Sequence, residues 1–244
     1  MTHFLGSSDP SILTDLAQCE LALEGQFLYG SNFTFLVNVQ CDGHALKAVY
    51  KPSRGERPLW DFPEGSLAAR EAAAYLVSEH LGWGLVPPTV MRETGPSGPG
   101  SVQLFIDADP EHHYFTMQEE EKSRLIPAAL FDALINNADR KGGHVLFDSQ
   151  DHLWLIDHGV CFHVQPKLRT VIWDFAGQAI PDGLLKDLSG YRSALEEDGD
   201  VRTELDPLLS DLEIQALSQR ASELIDSGCM PVPGPGRPYP WPLI

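Results

Sequence analysis

The amino-acid sequence predicts an α+β fold in two parts, a β-rich first part carrying one helix and a mostly helical second part carrying one hairpin. Three observations predict it. Short apolar runs separated by Gly, Asn and Asp turn residues dominate the first third. One alanine-rich stretch with helical start and stop residues interrupts them. Beyond an acidic, polar segment over 107–122, the apolar spacing changes to that of amphipathic helices.

The elements follow in order. Leu21 to Tyr29 reads as a strand, then Gly30-Ser31-Asn32 as a loop, then Phe33 to Val39 as a second strand. Asp42-Gly43 is a hairpin turn signal, and Ala45 to Tyr50 is a third strand ending at Lys51-Pro52. Leu67 to Leu81 is a helix, with Ser66 as its expected N-cap and Gly82 as its stop. Val86 to Met91 and Val102 to Ile106 are strands on either side of a Gly/Pro/Ser loop. Leu125 to Asn137 has helical spacing, and Val145–Phe147 with Leu153–Ile156 forms a hairpin around Asp148-Ser149-Gln150-Asp151. Helical patterns return at Leu184–Leu195 and Asp211–Ile225, before a proline-rich tail that packs on the body or is shown to a partner protein. The chain is expected to be a single domain, 1–244, with lobes 1–106 and 123–230, a linker 107–122 and a tail 231–244.

With 35 acidic against 17 basic residues, the formal charge is −18, which argues against a phosphate-backbone grip or an anionic bilayer surface. Small anions remain open to it, since one or two placed cations hold them. No apolar run approaches a membrane span, and the first ten residues lack the pattern of a signal peptide. Cys19, Cys41, Cys161 and Cys229 form no CxxC pair, so free thiols in a reducing cytoplasm are expected.

The most informative segment is Asn136-Asn137-Ala138-Asp139-Arg140-Lys141-Gly142-Gly143-His144, with Asp157-His158-Gly159 closing the hairpin that follows. A hairpin brings its outer ends together, so His144 and Asp157 are expected side by side, with Asp139 on the loop leading in. Two carboxylates and an imidazole beside Gly-Gly suit a divalent metal and a nearby general base. Taken singly, each has an ordinary reading as a turn cap or a local pair. A metal-dependent phosphohydrolase recruiting His112, His113 or His163 is an alternative, though no HxH, HD or HExxH pattern accompanies it. Lys51 ends an apolar strand, where a lysine is commonly just solvated. Glu71 shares a helix face with Leu67, Ala68, Ala74 and Tyr75, so it is expected to be buried and to need a cation. Lys51 and Arg70 are the candidates, and Arg70 points elsewhere on the helix.

A small loop between strands, a strand lysine, a helix glutamate, a linker, then Asp-Arg and Asp-x-Gly around a hairpin is the order of a protein-kinase-like phosphotransferase. The stretches GSNFTF, AVYKP, AAREAAAYLVSEHLGWGLVPPTV, VQLFID, NNADRKGGHVLFD and LWLIDHG resemble the small bacterial phosphatidylinositol 3-/4-kinase-related group. HipA-type kinases are more distantly similar. The resemblance implies a two-lobed kinase-like fold, ATP and Mg²⁺. Lys51 would hold the α- and β-phosphates and pair with Glu71, while Gly30, Ser31 and Asn32 would cover them. Gln103, Leu104, Phe105 and Ile106 would form the adenine hinge. Asp139 would orient or deprotonate the acceptor hydroxyl with Arg140 in support, and Asp157 would hold the metal.

One position departs from that pattern. His144 stands where these kinases carry a metal-binding asparagine, and imidazole suits Mn²⁺, Zn²⁺ or Fe²⁺ better than Mg²⁺. A pseudokinase that binds nucleotide without turnover is therefore the second expectation. Lys167 and Arg169 are the cations of the segment 160–180, too few for a polyphosphate headgroup. The expected acceptor is the hydroxyl of a soluble small molecule or a protein.

Overall fold

A computed structural model describes residues 10–27, 32–196 and 199–244. It opens with helix α1 (Pro10–Gln18) and strands β1 (Glu20–Gln26), β2 (Phe35–Cys41) and β3 (His44–Pro52). Helix α2 (Leu67–His80) follows, then β4 (Thr89–Arg92) and β5 (Gly100–Leu104). The second part holds the short α3 (Glu119–Lys122), α4 (Ile126–Leu134), the hairpin β6 (Val145–Phe147) and β7 (Leu153–Leu155), and helices α5 (Asp182–Glu196), α6 (Asp200–Leu205) and α7 (Asp211–Ser227). The fold is thus α+β, with a β-sheet lobe followed by a helical one, as the sequence predicts.

The first five strands form one antiparallel sheet in the order β1-β2-β3-β5-β4. Side chains alternate across a strand, so Val37, Val39, Ala48, Tyr50 and Val102 line one face, packed under Ile12 and Leu16 of α1. Lys51, one residue past Tyr50, faces the other side. A second, larger core gathers Ala73, Ala74, Tyr75 and Val77 of α2 with α4, the β6–β7 hairpin, α5 and α7. Ser210 and Glu213 cap the start of α7 reciprocally, and Gly228 ends it at φ 59°.

Several expectations need correction. Cys19 and Cys41 are joined in a disulfide rather than being free thiols; Cys161 is free and buried, Cys229 free and exposed. The end of α1 and the end of β2 converge there, a meeting of elements that cysteine spacing cannot reveal. Ser66 does not cap α2, since its hydroxyl donates to the Pro63 carbonyl at 2.7 Å. The Glu56 carboxylate takes its place, accepting from the amides of Leu67 at 3.1 Å and Ala68 at 2.9 Å. Helices α1 and α6 were not expected, and Tyr29, where the first strand was to end, lies outside the described residues. Among the described residues, no helix is long and apolar enough to cross a membrane.

Candidate active site

Strand β3, helix α2 and the turn after β7 bring three charges into one line. Lys51 Nζ donates to Glu71 Oε1 at 2.5 Å and to Asp157 Oδ1 at 2.8 Å. Glu71 is buried, as its helix neighbours predict, and its second oxygen accepts from the His158 amide at 2.9 Å. Burial works against the Lys51 ammonium, but the carboxylates of Asp157 and Glu71 outweigh it and hold its pKa above the ordinary value. Burial likewise lifts the Glu71 carboxyl, with Lys51 pulling it back in part. The Lys51 charge keeps Asp157, whose side chain is 47% exposed, well below the usual carboxylate range. Lys51 and Asp157 are therefore charged at neutral pH, with Asp157 the solvent-facing member of the triad.

The hairpin pairs Val145 with Leu155, and the Ile156 amide donates to the His144 carbonyl at 3.1 Å. That ladder sets His144 Nε2 at 3.3 Å from Asp157 Oδ2, the juxtaposition the sequence predicts. Asp157 has φ 62°, a left-handed conformation that aspartate tolerates better than bulky residues. His144 Nδ1 accepts from the Lys141 amide at 3.4 Å, so the ring proton sits on Nε2 and points at Asp157. Burial pushes the imidazole pKa down to about 4, so it is neutral. Asp139 pairs with Lys141 at 2.9 Å, while burial raises its carboxyl above the ordinary value despite Lys141 and Arg140.

Arg140 is wholly buried and acts inside the loop. It donates to Asp132 at 3.0 Å, to the Ile156 carbonyl at 2.7 Å, and lies 2.7 Å from His158 Nε2. Asp132 also accepts from Asn137 at 2.9 Å and Thr170 at 3.1 Å, so one carboxylate anchors the loop that carries Asp139. Sequence reading missed Asp132 and His158 in these roles. The signal for Asp132 was present: a carboxylate within Leu130-Phe131-Asp132-Ala133-Leu134 must be buried and paired, the same argument that found Glu71.

The remaining predicted residues are placed unevenly. Gly30 and Ser31 lie outside the described residues; Asn32 Oδ1 accepts from the Arg57 amide at 2.7 Å. Gln103 turns its side chain to Thr89 Oγ1 at 2.8 Å. The amides of Leu104 and Phe105 already donate to Pro88 and Lys47 carbonyls, at 2.8 and 3.0 Å. Ile106 is the first of the four beyond these sheet bonds. His112 pairs with Glu121 and stacks on Phe147, and His163 meets the Asp61 carbonyl, so both are engaged elsewhere.

A cavity of about 290 Å³ opens beside Asp139, lined by Arg57, Trp60, Asp61, Lys167 and Arg169 among others. Lys167 is tied to Asp61 at 2.7 Å and lies 5.3 Å from the Trp60 ring centre. The backbone of Arg169 is clamped to the Asp139 loop by bonds with Asn137 (2.8 Å) and Arg140 (3.0 Å). The tail also reaches this loop: the Gly142 amide donates to the Leu243 carbonyl at 2.8 Å. A Cβ at Gly142 would stand 2.8 Å from the ring of the exposed Phe115, which a larger residue would have to displace.

The donor set discriminates between metal ligands. Asp157, ionised and half exposed, fits a hard divalent cation. His144 Nε2 faces the same point from 3.3 Å and gives a lone pair to a metal only in the tautomer that surrenders the Lys141 amide bond.

The fold is that of a protein-kinase-like chain. Solved structures agree in fold: the Golgi casein kinase with Mn/ADP bound has a TM-score of 0.57 at 15% identity over 89% of this chain and 74% of its own. Hydra Fam20 with sugar has 0.58 at 14% identity over 89% and 87%, and the Helicobacter pylori proinflammatory kinase CtkA 0.52 at 13% over 87% and 95%. In sequence, the chain is 41% identical over 264 aligned residues to Protein Rv2133c of Mycobacterium tuberculosis, spanning 94% of each, and it belongs to that protein's family. It is also 32% identical to phosphatidylinositol 4-kinase gamma 4 of Oryza sativa subsp. japonica over 66% of this chain and 29% of the rice protein, so it spans under a third of that length. No family model matches the sequence.

Proposed function

We propose that the chain is an ATP-dependent phosphotransferase acting on a hydroxyl, within the small bacterial phosphatidylinositol 3-/4-kinase-related group. The observation that carries this is Lys51 bridging Glu71 and Asp157, at 2.5 and 2.8 Å, with Asp139 on the neighbouring loop. Lys51, held by Glu71, would meet the α- and β-phosphates, and Gly30, Ser31 and Asn32 would cover them. Ile106 and its neighbours would offer the adenine edge. A divalent cation on Asp157, Mg²⁺ or Mn²⁺, would supply charge neutralisation on the phosphates when bound.

The acceptor hydroxyl would enter from the cavity and meet Asp139. The carboxyl pKa raised by burial suits a proton acceptor better than an ordinary aspartate. Arg140 is a positioning residue, buried in the loop and remote from solvent. The cavity approaches the size of small-molecule sites, roughly 300 Å³ and above, and Arg57, Lys167 and Arg169 favour an acceptor carrying an anionic group. The tail would buttress the Asp139 loop through Leu243.

The test is transfer from labelled ATP with Mg²⁺ or Mn²⁺, to the protein itself and to small hydroxylated acceptors. Wild type should transfer label and Asp157→Ala should not. Equal silence of both, without any ATP-induced rise in melting temperature, ends the proposal. A nucleotide-binding pseudokinase is the second reading, favoured by an imidazole, His144, standing 3.3 Å from Asp157 in the asparagine position. It predicts that ATP stabilises the fold by about 2.7 kcal/mol at a hundred times its Kd, with no transfer under either metal.

A further inference from the structure

Far along the sheet from Lys51, α1 and the β2–β3 turn converge on a second cluster. Asp15 and Cys19 are four residues apart at the end of α1 and share a helix face, since the Cys19 amide continues the helical bonding to the Asp15 carbonyl at 3.0 Å. Cys41 and His44 are the last pair of the β2–β3 ladder, on either side of Asp42-Gly43. His44 Nε2 lies 2.7 Å from Asp15 Oδ2, and Cys19 Sγ lies 3.8 Å from Asp15 Oδ1. Among the described residues, the ligand atoms of Asp15, Cys41 and His44 all fall within 4.8 Å of one another, and Cys19 is bonded to Cys41.

An ordinary disulfide with a surface His–Asp pair beside it accounts for each contact separately. It does not account for their convergence. A disulfide needs two sulfurs, whereas here a carboxylate and an imidazole from two elements close on the same point. Two sulfurs, one nitrogen and one oxygen, delivered by a Cys-x-x-His turn and an Asp-x-x-x-Cys helix end, make the donor set of a four-coordinate zinc site. Thiolates also discriminate against the Mg²⁺ suited to Asp157.

The geometry points to a structural zinc site formed by Asp15, Cys19, Cys41 and His44 when the disulfide is reduced. Two equivalents of a low-molecular-weight thiol break the S–S bond. The two protein sulfurs gain two electrons and two protons, and the reductant leaves as its own disulfide. Zn²⁺ then displaces both thiol protons to solvent, forming two Zn–S bonds, with a His44 nitrogen and an Asp15 oxygen completing the shell. Metal and disulfide use the same sulfurs and exclude each other. Either state ties α1 to the hairpin, so the sheet lobe keeps its brace across a change of redox conditions.

The full-length chain, reduced with a phosphine and dialysed against Zn²⁺, should hold about one zinc per chain by elemental analysis. Co²⁺ in its place should show a thiolate-to-metal charge-transfer band. Cys41→Ser and His44→Ala should each weaken zinc binding about tenfold or more, while Asp157→Ala leaves it unchanged, separating this site from the cleft. Hydrogen peroxide should release the metal as the sulfurs lose two electrons to it and it leaves as two waters. Absence of the cobalt band in reduced wild type, or zinc binding by both variants equal to wild type, overturns the proposal. His44 is half exposed, so His44→Ala decides the matter even if Cys41→Ser fails to fold.

Discussion

The two buried cores of this molecule divide the chain differently from its sequence order. The smaller sits between α1 and the sheet, built on Ile12, Leu16, Val37, Val39 and Tyr50. The larger takes α2, which precedes β4 and β5 in the chain, and packs it with helices that come more than fifty residues later. Arg70 seals this arrangement: its guanidinium is buried, pairs with Glu213 at the start of α7, and donates to the Cys161 carbonyl at 2.8 Å. Glu71 and Asp157 therefore ride on the large core, and Lys51 alone crosses from the small one. The candidate site is the seam between two packing units, and its ion pairs cross that seam beside the packing of α2 on β4 and β5.

That division is most severely tested by Glu213→Ala. Removing one partner of a buried pair costs about 3–5 kcal/mol, and urea denaturation should show it, together with weaker ATP binding as α2 loosens around Glu71. The same residue gives a pH signature. Burial tends to raise the Glu213 carboxyl, but the Ser210 amide and Arg70 outweigh it and hold its pKa below the ordinary 4.5. Its stabilisation is complete above that ordinary value and is lost as pH falls through the lower folded one. Wild type should accordingly lose stability on the acid side more steeply than Glu213→Gln; parallel acid limbs in the two proteins would refute the assignment.

Leu134→Ala in the large core should cost about 2–5 kcal/mol and lower ATP affinity with stability. Val39→Ala in the small core should cost roughly 2 kcal/mol and leave the Asp157–His144 geometry untouched, readable by unchanged nucleotide-induced protection of the hairpin in hydrogen exchange. If both mutations disturb the hairpin equally, the two cores behave as one. The smallest effect is expected at Asp151, whose exposed carboxylate pairs with Arg124 at 2.8 Å. Asp151→Asn should shift the urea midpoint by less than about 1 kcal/mol equivalent.

What could be read from the sequence was what local pattern encodes. The β6–β7 hairpin announced itself by two short apolar runs around a polar turn, and from it followed the meeting of His144 and Asp157. Glu71 was legible because helix spacing predicts its buried face. Asp132 obeys the same logic on α4. What stayed hidden depends on partners distant in the chain: Arg70 with Glu213, Cys19 with Cys41, and the Arg57–Arg169 wall of the cavity. Helix α1 is nine residues long, too short for apolar periodicity to stand out. That the amides of Leu104 and Phe105 are taken by the Pro88 and Lys47 carbonyls is a matter of pairing register that composition does not carry.

The Arg70–Glu213 pair has a consequence for the order in which the molecule is made. Its two members are 143 residues apart, so a chain emerging from the ribosome has the sheet complete long before the carboxylate that neutralises Arg70 exists. Until α7 is synthesised, α2 packs on β4 and β5 with its guanidinium lacking the carboxylate that neutralises it. The pairing of Arg70, next to Glu71 of the candidate site, is therefore a late product of synthesis. A chain interrupted before Glu213 would still contain every residue of that site and yet lack the carboxylate that pairs with the buried Arg70.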